Sequence, residues 1–291
     1  MSAEGAAPAY LPPVASPRRP RLPTPVAACD THFHVFGPAS RFPYASDRAY
    51  TPADAPLEAA LRMHALLGIE RGVLVQGNPY GTDNTALLDA LAGEPQRLRG
   101  VAIVNEPLSA AQLRGLRDAG VRALRFHHRP RIEGRYSRSG IPLFQSLSRA
   151  MMDAGLHAEF FIDARVLPEL MPALRDWRLP LVLDHFACAD TASIEPLSRL
   201  LADGRVWVKL SAAYRFSARP PDYEDVRAVQ QALLRANPDR LIWGSDWPHT
   251  RLERGMPDDG HLLDLFNDWT GSDELRRTLL VNNPAKLYGF A

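Results

Sequence analysis

From Val26 onward the chain alternates short, continuously apolar runs with longer stretches whose apolar residues recur at helical spacing. The short runs are Val26–Phe36, Arg71–Gln76, Arg99–Val104, Val121–Phe126, Leu156–Ile162, Leu179–Phe186, Arg205–Ser211 and Arg240–Trp247. They are rich in Val, Ile, Leu and aromatics and mostly do not alternate with polar residues, which predicts strands buried on both faces. Between them, helices are predicted from Asp83 to Gly93, from the cap Ser109 to Gly120, from Ile141 to Gly155, and from Asp222 to a stop at Pro238. Strict β–α alternation implies a parallel sheet, and eight units imply an α/β fold of the closed (β/α)8 TIM-barrel type. An open doubly wound sheet is the alternative. Its nucleotide-binding versions lack support, because no G-x-G-x-x-G follows the first strand and there is no P-loop. Residues 1–25 read as a Pro-rich, extended N-terminal segment and residues 26–291 as the barrel. The terminal NNPAKLYGF (Asn282–Phe290) is expected to cap the outer ring.

Composition narrows this picture. A chain of 291 residues is long enough to close a sizeable core unaided, and a net charge of +1 argues against a nucleic-acid or membrane-surface protein. Two cysteines, Cys29 and Cys188, do not make a disulfide scaffold. With no run of 18 apolar residues and no apolar leader at the N-terminus, a cytoplasmic location is expected. Of the 34 basic residues only Lys209 and Lys286 are lysine, so 32 are arginine. Arginine suits two-point contacts to acids, although a GC-rich genome explains most of them more simply.

The polar residues that interrupt the pattern gather at one end of the strands. Asp30, His32 and His34 close the first, Gln76 the second and Arg125 the fourth; Asn105 follows the third and His127 the fourth. Asp184 and His185 close the sixth, Lys209 and Ser211 the seventh, and Ser245 and Asp246 the eighth. In such a barrel the active site lies at the C-terminal strand ends. Residues i and i+2 of a strand share a face, so both imidazoles of His32-Phe33-His34 can enter the mouth. An H-x-H pair alone is a weak signal; His185 and Asp246 at later strand ends strengthen it.

DTHFHVFG, LVLDHF and LIWGSDWPH, in that order and spacing, resemble the amidohydrolase superfamily, and within it the branch containing 2-pyrone-4,6-dicarboxylate lactonase. VQGNPYGTDN, ALRFHHRPR, PDDG and NNPAKLYGF add to the likeness, which covers nearly the whole chain from Val26. The resemblance implies a distorted (β/α)8 barrel and hydrolysis of a lactone or related bond, with His32, His34, His185 and Asp246 around the reacting carbonyl. Asp246 would be the general base, its basicity raised in a partly dry pocket, and the histidines would stabilise the oxyanion. The same four residues are candidate ligands of a single zinc ion. The resemblance favours metal-independent hydrolysis and makes a binuclear site unlikely, because the fourth strand offers Arg125 rather than lysine.

Family positions that hold substrate carboxylates correspond to Arg125, Arg131 and Arg215, and mouth-lining positions to Tyr50 and Asn78. Two positions depart: the family's strand-five tyrosine is Phe161, and an arginine after the strand-six histidine is Cys188. One carboxylate contact is expected to be lost, or else replaced from His127, His128 or Arg129, so other carboxylated lactones, including sugar-acid lactones, fit equally. His249 and Trp247 are further candidates for the mouth, whereas His64, His157 and His261 read as structural or solvated. Three readings stay open: a lactonase for a small carboxylated lactone, a zinc-dependent decarboxylase or hydratase of an aromatic or unsaturated acid, and a non-catalytic barrel that binds small acids. The oligomeric state is not legible.

Overall fold

A computed structural model describes residues 10–129 and 139–291. Its eight strands are β1 (Cys29–Phe33), β2 (Arg71–Val75), β3 (Leu98–Ile103), β4 (Val121–His128), β5 (His157–Ile162), β6 (Leu181–Leu183), β7 (Trp207–Leu210) and β8 (Leu241–Trp243). They lie in sequence order in one sheet, and each successive pair is parallel. The helices α1 (Leu57–Leu67), α2 (Thr85–Gly93), α3 (Ala110–Asp118), α4 (Gly140–Ala154), α5 (Leu167–Leu170), α6 (Ile194–Ala202), α7 (Glu224–Ala236) and α8 (Asp259–Thr270) follow strands β1 to β8 in turn. This is the (β/α)8 barrel that the alternation predicts.

The ring closes just beyond β1 and β8. Asp246 N–H donates to the His32 carbonyl (2.8 Å), His34 N–H donates to the Trp247 carbonyl (2.8 Å), and Thr31 Oγ1 donates to the Trp243 carbonyl (2.6 Å). Gly244 permits this approach, because a Cβ there would stand 2.8 Å from the His32 backbone nitrogen. Asp30 ties the same seam: its Oδ1 accepts from Ser245 N (2.9 Å) and its Oδ2 from Ser245 Oγ (2.5 Å) and His64 (3.1 Å). His64 is therefore structural.

Local chemistry explains the elements. Ser109 and Gln112 form a reciprocal capping box at α3, and Gly155 ends α4 in the left-handed region. Helix α7 starts at Glu224 rather than Asp222, because Tyr223 at φ 47° turns the chain there. Helix α1 follows Pro56 without a side-chain cap, so it carries no start signal in the sequence.

The C-terminus corrects one expectation. Helices α9 (Asp273–Arg277) and α10 (Asn283–Tyr288) follow α8, and Leu287, Tyr288 and Phe290 pack with Cys29, Val73, Val101, Ala123, Val182 and Ile242. These face the barrel interior, so the segment plugs the floor of the barrel instead of covering its outer ring. The described part of the N-terminal segment runs along α8. Arg18 N donates to Asp258 (2.9 Å), Arg21 N to Asp264 (2.7 Å), and the Tyr10 ring meets Tyr50 at 6.0 Å.

Candidate active site

The bulge in β1 decides where the H-x-H pair points. Pairing with β2 runs Cys29 to Arg71 and Asp30 to Gly72, then shifts so that Phe33 meets Leu74. Without the shift, Cys29 inside would put His32 and His34 outside, since one step of register exchanges the faces. With it, both imidazoles enter the barrel.

Asp246 stands at the centre. It is fully buried and adopts φ 62°, a conformation sparsely used by residues other than glycine. Its Oδ1 lies 3.3 Å from His34 Nε2, 3.5 Å from His32 Nε2 and 3.8 Å from His185 Nε2. Its Oδ2 accepts from Tyr214 Oη (2.5 Å) and Arg215 Nε (2.7 Å). Burial works to raise this carboxyl, but the Arg215 guanidinium leads the interactions that overcome it and hold the group well below the ordinary carboxylate range. The raised basicity expected of a dry pocket is thus corrected: a guanidinium at 2.7 Å outweighs desolvation.

Each imidazole is oriented from behind. His34 Nδ1 is 2.8 Å from the Val75 carbonyl, which can only accept, so Nδ1 carries the proton. A neutral His34 then turns a lone pair toward Asp246 Oδ1, and two acceptors so close call for a proton or a cation between them. His185 Nδ1 meets Ser211 Oγ at 2.8 Å. His32 Nδ1 faces Lys209 Nζ (3.2 Å) and Asp184 Oδ1 (3.3 Å). Burial, reinforced by Lys209, lowers His32 to about 3, and burial drives His185 well below its ordinary value, so both rings are neutral.

Beneath them is a buried ionic network. Lys209 Nζ donates to Glu159 Oε2 (2.5 Å) and lies 3.3 Å from Asp184 Oδ1; Arg125 Nε donates to Asp184 Oδ2 (2.8 Å); Tyr288 Oη donates to Glu159 Oε1 (2.7 Å). Glu159 sits with His157 in a run that is otherwise apolar, away from the strand ends that mark the other candidates. Tyr214 was equally hidden, because the turn that carries it lies beyond β7. Thr250 also escapes the sequence: Tyr50 Oη donates to its Oγ1 (3.2 Å), and both Nη atoms of Arg215 approach it at 3.5 Å.

The other candidates divide. Arg125 and Arg215 are at the site but spend their Nε atoms on Asp184 and Asp246. Tyr50 lines the wall beside Thr250. Asn78 lies in the turn after β2, its buried Oδ1 without a hydrogen bond among the described residues. Arg131 lies outside the described residues. His249 is drawn away to Asp259 (3.0 Å), Trp247 is buried in the core, and His128 Nε2 lies 3.3 Å from Glu169 Oε2. Burial pushes the Cys188 thiol up to about 11, which removes it as a nucleophile at neutral pH.

His185, Phe186, Ala187 and Cys188 all have φ between 48° and 56°. A left-handed turn of four non-glycine residues costs roughly 4–8 kcal/mol at 1–2 per residue, and such strain clusters at functional sites. Here it swings His185 from the end of β6 toward Asp246.

His32, His185 and Asp246 offer ligand atoms that all lie within 4.8 Å of one another, and His32 Nε2 and Asp246 Oδ1 are buried without hydrogen bonds among the described residues. A nitrogen and oxygen set of this size fits one divalent ion such as zinc. His34, turned by Val75, falls outside that mutual group.

The amidohydrolase family profile matches residues 29–290. The chain belongs to this family. It is 38% identical to a 4-sulfomuconolactone hydrolase of Rhizobium radiobacter, over 97% of each protein. It is 34% identical to a 2-pyrone-4,6-dicarboxylate hydrolase of Comamonas testosteroni, over 97% of this chain and 96% of that one. The structure of a probable 2-pyrone-4,6-dicarboxylic acid hydrolase from Acinetobacter baumannii, with citric acid bound, matches at a TM-score of 0.78 and 27% identity, over 91% of this chain and all of that one. Among the described residues no helix is long and apolar enough to cross a membrane.

Proposed function

We propose that the barrel of residues 26–291 is a lactonase that hydrolyses the ring ester of a small acidic lactone. The relatives act on such lactones, but the observation that carries the reading is local. One carboxylate oxygen of Asp246 faces three imidazole nitrogens at 3.3–3.8 Å, and the other is fixed by Arg215 and Tyr214.

In this reading Asp246 takes a proton from a water molecule as its oxygen attacks the lactone carbonyl carbon. The carbonyl π electrons move to oxygen; His32 and His185 can turn an Nε2–H to that developing charge, and His34 can do so when the proton called for between it and Asp246 sits on its Nε2. The oxyanion then collapses, the ring C–O bond breaks, and Asp246 returns its proton to the leaving oxygen. A strongly depressed carboxyl is a weak base, so much of the acceleration must come from preorganised charge around the tetrahedral intermediate. Arg125, Arg131, Arg215, Tyr50 and Asn78 would orient the acidic substrate. When an ion is bound, His32, His185 and Asp246 would hold it, and it would supply Lewis-acid polarisation of the carbonyl or water. In this reading the partner is a small molecule rather than nucleic acid or membrane, and the enzyme would work in the cytoplasm.

A proton-release assay in weak buffer tests this. Wild type and Asp246→Asn are mixed with 2-pyrone-4,6-dicarboxylate, 4-sulfomuconolactone and sugar-acid lactones. Hydrolysis by wild type, reduced roughly 10²- to 10⁴-fold in the variant, is expected of a general base. Folded wild type that opens no lactone would overturn the reading.

A further inference from the structure

The ends of β4 and β5 place Arg125, His127 and Arg129 beside Phe161, with His127 and Phe161 in register. The Arg129 guanidinium carbon lies 4.4 Å from the Phe161 ring centre and that of Arg125 lies 5.4 Å away. The same ring stands nearly perpendicular to that of His185, with centroids 5.1 Å apart. Arg125 is neutralised by Asp184. Arg129, in contrast, forms no hydrogen bond or ion pair with a described residue, and its contact is the face of Phe161. Its charge reaches Cys188, in the turn that carries His185. A guanidinium with no anionic partner among the described residues therefore stands one aromatic ring away from an imidazole that faces Asp246.

Stacking on a ring leaves the edge of the guanidinium, where its N–H groups project, open for a two-point grip on a planar or tripodal acid. It also fixes the plane before a ligand arrives, which lowers the ordering cost of binding. Arg215 touches Asp246 Oδ2, whereas His185, behind which Phe161 lies, faces Oδ1. The two cations thus serve different sides of the reacting centre.

We propose that Arg129, held over the Phe161 ring, is the subsite for a second acidic group of the substrate, a carboxylate or a sulfonate. A lactone carrying two acidic groups would then be held at both ends. This rests on the lactonase reading for its substrate, but the anion subsite is testable apart from turnover.

The kinetic test compares wild type, Arg129→Gln and Arg129→Lys on 2-pyrone-4,6-dicarboxylate, 4-sulfomuconolactone, 2-pyrone-4-carboxylate and 2-pyrone-6-carboxylate. Arg129→Gln should lower kcat/KM for the diacids by about 10- to 100-fold, mainly through KM, and leave at least one monoacid within about 3-fold. Arg129→Lys should fall between, because lysine keeps the charge and loses the fork. Equal losses on diacids and both monoacids, or no loss, would overturn the proposal. Calorimetric titration with citrate separates the two claims. If wild type opens no lactone but Arg129→Gln binds citrate at least 10-fold more weakly, the subsite stands and the lactonase reading falls. Citrate bound equally by both proteins, or by neither, overturns the subsite.

Discussion

Replacing Lys209 by Met should destabilise the protein in a way that depends on pH. Lys209 Nζ is 2.5 Å from Glu159 Oε2 and 3.3 Å from Asp184 Oδ1, and all three side chains are buried. At an effective dielectric of about 20 these attractions are on the order of 7 and 5 kcal/mol before desolvation. Desolvation offsets most of that, and removing one partner of a buried pair costs about 3–5 kcal/mol. Asp184 would keep Arg125, but Glu159 would keep only Tyr288 at 2.7 Å and His157 at 3.5 Å. We expect the upper end, about 5 kcal/mol, or a fall in Tm of about 10 °C at this chain length. In wild type, burial tends to raise both carboxyls, yet Lys209 leads the charges that bring them below their ordinary values. Their contribution is therefore present above the unfolded carboxylate pKa and is lost only as pH falls through the lower folded values. In the variant Glu159 is buried without its cation and its folded pKa rises, so the penalty is full at neutral pH and is relieved as pH falls and the group protonates. Urea unfolding at pH 8, 7, 6 and 5 should show the gap between the two proteins narrowing toward acid. Adding Glu159→Leu should recover part of the loss. A gap below about 1 kcal/mol, or one independent of pH, would refute the reasoning.

Arg215→Gln removes the leading charge that lowers Asp246, so its folded pKa rises and the acid limb of kcat/KM should move to higher pH; an unmoved limb would mean that hydrolysis does not depend on ionised Asp246. Cys188→Ser should keep kcat/KM within about 3-fold, and iodoacetamide at pH 7 should leave wild type active, because the thiol ionises only near pH 11. Zinc added to chelator-treated protein should raise Tm by mass action, and His185→Asn should abolish the rise; a wild-type midpoint indifferent to zinc would show that the three donors do not hold that ion.

The barrel was legible because each buried strand reads as an apolar run, and the polar residues that end those runs must lie at one mouth. That logic reached His32, His34, His185, Asp246, Arg125 and Lys209 without reference to contacts. It missed what depends on three dimensions. Glu159 lies inside an apolar run and becomes meaningful only beside Lys209. Tyr214 and Thr250 lie on turns whose direction is set by positive φ values at Ala212 and His249. The inward aim of the H-x-H pair rests on a bulge that alternation cannot reveal. The sign of the Asp246 shift was misread because composition shows burial but not that Arg215 arrives at 2.7 Å.

The floor plug has a consequence for how the enzyme is made and handled. Tyr288 holds Glu159, Glu159 holds Lys209, and Lys209 meets the ring of His32. A residue that follows every strand in the sequence thus completes the support of a residue on the first strand. A nascent chain paused before Tyr288 can form every strand of the barrel and still lack the last member of that column. Competence of the mouth is then delayed until the floor is in place, and a fusion or affinity tag that displaces α10 would be felt at the opposite end of the barrel.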